Sequence, residues 1–74
     1  MTTYYLIEKI EDKRMDSCLE YIYKNSEPIC TLIIDENYFI KRYEINDFMY
    51  YVHIKNGSVS KICIYRERSE IKWN

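Results

Sequence analysis

The single glycine of the chain, Gly57, directly follows Asn56 and stands between two β-branched and aromatic runs, residues 48–55 and 58–67. A two-residue connection there needs positive φ at both central positions, which Asn and Gly tolerate best, so the pair reads as a β-hairpin tip. Asn46-Asp47 repeats the arrangement between residues 38–45 and 48–55, and Asp35-Glu36-Asn37 separates residues 29–34 from Tyr38. From Ile29 onward the chain therefore reads as an antiparallel meander.

Ahead of the meander the period changes. Residues 4–10 are apolar and β-prone and predict a first strand. Met15, Cys18, Leu19 and Ile22 then recur at helical spacing, with Lys13, Asp16, Ser17, Glu20 and Lys24 on the opposite side. That pattern predicts an amphipathic helix of about 12 residues, started by Asp12 and ended by Asn25 and Pro28. The element order is β-α-β-β-β-β. The expected fold class is α+β, one helix packed on a mainly antiparallel sheet of about five strands, with residues 1–74 as a single domain.

Two-residue turns also fix pairing. Asn56-Gly57 would place Lys55 opposite Ser58, Val52 opposite Lys61 and Tyr50 opposite Cys63. Asn46-Asp47 would place Ile45 opposite Phe48, Tyr43 opposite Tyr50 and Lys41 opposite Val52. One face then carries Phe39, Tyr43, Tyr50, Val52, Cys63 and Tyr65, interrupted by Lys41 and Lys61, and is expected beneath the helix. The other carries Tyr38, Ile40, Met49, Tyr51, Ile62 and Ile64, with no second helix to cover them. An uncovered apolar surface on a small domain is expected to meet a partner or a second copy. A slip of one residue in either turn would exchange the faces of a whole strand.

Size points the same way. At 74 residues the chain can bury only a modest core, and domains this small usually need a staple, a metal or an oligomeric partner. Three cysteines, Cys18, Cys30 and Cys63, form no close pair, so no disulfide framework is readable. Together with His53 they make a nominal Cys₃His set, but structural zinc sites draw ligands in close pairs, and no metal is expected. The thiols read as small buried hydrophobes. Nothing places His53 beside a thiolate, no serine occupies a nucleophile turn, and the carboxylates sit in turns or charge-balanced runs. No catalysis and no cofactor are expected.

Tyrosine is the remaining signal. Nine are more than a small core needs, and Tyr is enriched at protein interfaces because it offers rigid area with a polar tip. Trp73 is expected either to cap the core or to anchor a partner. The leading expectation is a non-enzymatic protein-binding module that forms a homodimer, its contact surface Tyr38, Ile40, Met49, Tyr51, Ile62 and Ile64. The alternative is a site for a nucleotide or similar small anion, built from Lys41, Lys61, Tyr43 and Tyr50 on the opposite face. With a net charge of −1, the chain has no field to gather extended nucleic acid.

Coding bias and location complete the expectation. Thirty-eight residues are Phe, Tyr, Met, Ile, Asn or Lys, whereas six are Gly, Ala, Arg or Pro. That bias marks an AT-rich gene and suits a stoichiometric inhibitor or accessory protein of a phage, virus or mobile element. Apolar runs are too short to span a bilayer, and Glu8 and Glu11 interrupt any leader-like segment. A cytoplasmic location is expected.

Overall fold

Asn56 and Gly57 both adopt positive φ, 53° and 82°, as the hairpin reading requires. In a computed structural model that describes residues 2–69, the order is β1 (Thr2–Ile10), α1 (Arg14–Asn25), β2 (Cys30–Asp35), β3 (Tyr38–Ile45), β4 (Phe48–Lys55) and β5 (Ser58–Ser69). Trp73 and the end of the C-terminal charge run lie outside the described residues. All five strands form one antiparallel sheet in the order β1-β5-β4-β3-β2. The expected α+β class, with one helix on this sheet, is the observed one.

The helix connects the two outermost strands and lies across one face. Its start is held by Asp12, whose carboxylate accepts the backbone N–H of Arg14 at 2.9 Å. The residue immediately before the helix is Lys13, which makes no side-chain cap. Asp12 thus satisfies one otherwise orphaned donor from just outside the helix. At the other end the Ser26 N–H donates to the Ile22 carbonyl at 2.9 Å, and the Asn25 side chain donates to the Tyr21 carbonyl at 2.8 Å. Pro28 then prevents continuation.

Pairing of β3 with β4 follows the turn: Ile45 lies opposite Phe48, Tyr43 opposite Tyr50 and Lys41 opposite Val52. Pairing of β4 with β5 does not. Ile54 faces Val59, but His53 faces Lys61, so Ser60 is an extra residue in a β-bulge. Beyond it Val52 meets Ile62 and Tyr50 meets Ile64, in place of the expected Lys61 and Cys63. The physical reason is burial. Without the bulge Lys61 would sit beneath the helix and two isoleucines would face outward. Burying each Ile stabilises by roughly 1.5–3 kcal/mol, whereas a disrupted ladder hydrogen bond costs about 0.5–1.5 kcal/mol. The bulge wins.

The core therefore lies between α1 and the sheet, and gathers Ile10, Ile22, Tyr43, Tyr50, Val52, Ile62 and Ile64. Ile22, Val52 and Ile62 are completely buried. The rings of Tyr21 and Tyr23 on the helix tilt against those of Tyr50 and Tyr43, at centroid distances of 6.3 and 5.8 Å. This corrects the expected surfaces. Ile62 and Ile64 are core residues, and Lys61, Cys63 and Tyr65 belong to the opposite face.

Candidate functional site: the open face of the sheet

Among the described residues no element covers the face opposite α1. The ladders set its side chains in rows. Tyr38 lies opposite Lys55; Ile40, His53 and Lys61 form the next row; Arg42, Tyr51, Cys63 and Lys9 the next; and Glu44, Met49, Tyr65 and Leu6 the last. Tyr38, Ile40, Tyr51 and Tyr65 are half-buried. The Tyr51 and Tyr65 rings meet edge to face at 5.1 Å, a favourable pairing that restrains both and forms an aromatic platform on this face.

Met49 does not contribute to that platform. It is almost wholly buried, with the Arg42 Nε donating to its sulfur at 3.0 Å. Of the six residues expected at a partner surface, Tyr38, Ile40 and Tyr51 occupy the open face accessibly, Met49 lies beneath its neighbours, and Ile62 and Ile64 face the helix. Tyr65, which an unbulged register puts beneath the helix, faces the open side. A break in alternation carried the signal: Val59, Ile62 and Ile64 are all strongly apolar, yet Val59 has the opposite parity.

The expected anion set is not brought together. Lys41 shares the helix side with Tyr43 and Tyr50, both buried, while the bulge sends Lys61 to the open side. Burial pushes both phenols above their ordinary range, with Tyr23 and Tyr21 adding to the shift, so neither offers an easily ionised oxygen.

Polar chemistry on the open face is concentrated around His53. Its Nδ1 lies 2.6 Å from the Tyr38 hydroxyl, and the Lys55 ammonium stands 5.9 Å from the centre of the Tyr38 ring. Burial, then the Lys61 charge, lowers the imidazole pKa below its ordinary 6.5 and favours the neutral ring. With the proton on Nε2, the Tyr38 hydroxyl donates to Nδ1.

The bulge also brings His53 and Cys63 onto the same face, whereas the unbulged register separated them. They occupy adjacent rows rather than one, and His53 is engaged with Tyr38 on the side away from β5. Cys18 lies between helix and sheet, where burial and then Glu8 raise its thiol pKa, the reverse of what a nucleophile needs. Among the described residues no three His, Cys, Asp or Glu side chains are grouped so as to hold a metal ion. Comparison with protein-family models, with curated proteins and with solved structures finds no match for this chain.

A depressed histidine pKa has a definite sign in stability. The unfolded chain binds the His53 proton more readily, so the stabilisation is complete above the unfolded value of 6.5 and is lost as pH falls through it. Urea midpoints at about pH 7.5 and 5.5 should show the native protein weakening on acidification, and His53→Gln should flatten that dependence. Parallel slopes in the two proteins would refute this role for His53.

Proposed function

We propose that this chain is a non-enzymatic module that binds another protein through its open sheet face, with Tyr38, Ile40, Tyr51 and Tyr65 as the central contacts. The observation that carries the reading is an aromatic platform that no element among the described residues covers, while the helix occupies the other side. Tyrosines held rigid before contact lose little side-chain entropy on binding, and their hydroxyls can find partners at a wet rim. Lys9, Lys55 and Lys61 lie toward the margins of the face, so an acidic rim on the partner would complement it. Stoichiometric covering of a partner surface suits an inhibitor or accessory protein, and the AT-rich coding bias suits one from a phage, virus or mobile element.

Affinity purification from the producing cells tests this reading. The native chain and Glu20→Lys, altered on the outer side of the helix, should retain a partner in stoichiometric amount. Tyr51→Glu should lose it by at least about 30-fold in affinity, as for a central interface residue, while still unfolding cooperatively, with the loss of about 1 kcal/mol that its ring contact with Tyr65 implies. Equal retention by Tyr51→Glu would place binding elsewhere.

A further inference from the structure

The two edges of the sheet differ in a way that the open face does not explain. Among the described residues, strand β2 pairs with β3 on one side only, and its other side presents backbone N–H and C=O groups that no described strand receives. Its side chains Leu32, Ile33 and Ile34 are 43%, 79% and 57% exposed. No charged residue or proline interrupts Cys30–Ile34. The opposite edge, β1, also exposes apolar side chains, Tyr4, Tyr5, Leu6 and Ile7, but each less than Ile33 or Ile34, and it is interrupted by a bulge at Ile7 and by Glu8 and Lys9, with Arg14 2.8 Å from Glu8 and Lys9 3.2 Å from Glu11. Proteins commonly protect edge strands with such charges, and an unguarded apolar edge is a template for another strand.

We propose that β2 pairs antiparallel with β2 of a second copy, about a two-fold axis perpendicular to the sheet, so that two five-stranded sheets become one. Facing residues in an antiparallel pair share a side of the sheet, so the axis must pass through a residue pair of like facing. Centred on Leu32, the pairing sets Leu32 against its own copy and Thr31 against Ile33 of the second copy. With Ile34 counted as the extra residue of its bulge, Asp35 then falls opposite Cys30 and Glu36 opposite Ile29, with Glu27 beyond them, so no carboxylate meets another. Centring on Thr31 would oppose Glu36 to Glu27. Centring on Ile33 would place the bulged residue Ile34 beside the axis.

This complementarity favours a second copy over an unrelated strand, because each chain supplies both halves of the same contact. It also closes the assembly. The contact uses the same strand of each copy and so consumes both β2 edges at once, leaving the bulged and charge-interrupted β1 edges at the two ends, and by itself it builds a dimer and not a fibre. The axis keeps both open faces on one side, with Leu32 and Ile40 near the centre. The contact is made through the strand edge and joins the two open faces, Ile40 of each included, into one surface that stays available to a protein partner.

Native mass spectrometry and light scattering of the purified chain test it. The wild-type chain should run at twice 9.2 kDa, and Ile33→Lys should raise the dimer dissociation constant by about 30-fold or more. Ile33 is the most exposed of the three side chains, so the monomer should keep its unfolding midpoint. As a check independent of any loss of fold, Leu32→Cys in a Cys30→Ser background should form a disulfide-linked dimer under mild oxidation, and Glu20→Cys in that background should not. A monomeric wild type, a dimer indifferent to Ile33→Lys, or no cross-link at position 32 would overturn the proposal. Loss of the dimer in Tyr51→Glu alone would do so too, by moving self-association to the open face.

Discussion

Ile62→Asp should abolish cooperative unfolding, whereas Lys61→Asp, one residue earlier, should leave the chain folded. Ile62 is completely buried opposite Val52 and beneath the helix. Losing a large apolar side chain from such a site costs about 2–5 kcal/mol, and a carboxylate there, without a partner, adds several more. A chain of 74 residues has a total stability of about 4–11 kcal/mol, so the two penalties together consume most or all of it. Lys61 is half-exposed on the open face, and its replacement by Asp exchanges one solvated charge for another. Far-UV circular dichroism through a urea titration checks both variants. The opposite ranking would mean that the hairpin pairs without the bulge.

That contrast rests on the one place where turn chemistry misleads. Strands β3 and β4 begin and end where alternation and the flanking turns put them, because Asn46-Asp47 and Asn56-Gly57 are read correctly as two-residue connections. Their common face was legible for the same reason: no irregularity interrupts the pairing of Tyr38–Ile45 with Phe48–Lys55. In β5, counting outward from Gly57 holds only as far as Val59. Ser60 then interrupts the count, and every later side chain changes sides. Local propensity contains little of this, since serine carries no bulge signal of its own. What decides the register is the non-local requirement that Ile62 and Ile64 reach the helix.

The same requirement explains why the candidate site was only partly readable. Tyr38, Ile40 and Tyr51 lie on the regular β3–β4 ladder, so their common facing is legible from alternation. Tyr65 lies beyond the bulge, and its facing is not. Met49 has the right parity for the open face, but strand periodicity reports direction and not cover, and its side chain is buried with Arg42 donating to its sulfur. The two lysines of the expected anion site were joined by a register that the core rejects. The exposed edge of β2 had no sequence signal because strand order decides which strands become edges. The helical crossover places β1 beside β5 and leaves β2 outermost.

Ile22→Ala should have the second large effect, and a different kind of effect. Ile22 is the only fully buried residue of α1, while Met15, Cys18 and Leu19 are half-buried around it. A helix of 12 residues is marginal in water by itself, so α1 depends on this docking to stay folded. Truncation to Ala should cost about 2–5 kcal/mol, against about 1 kcal/mol for Tyr23→Ala, whose exposed ring touches the sheet at Tyr43 alone among the aromatic contacts. If the helix detaches while the hydrogen-bonded meander persists, the lost midpoint should come with a smaller denaturant slope and with binding of a hydrophobic dye, since less surface remains to be exposed on unfolding. Helical circular dichroism should then disappear before the sheet signal. Equal midpoints for Ile22→Ala and Tyr23→Ala would show that no single helix residue holds the layers together. A steep single transition at a lower midpoint would instead show that the sheet cannot outlast its helix, since the apolar face formed by Tyr43, Tyr50, Val52, Ile62 and Ile64 has no other cover among the described residues.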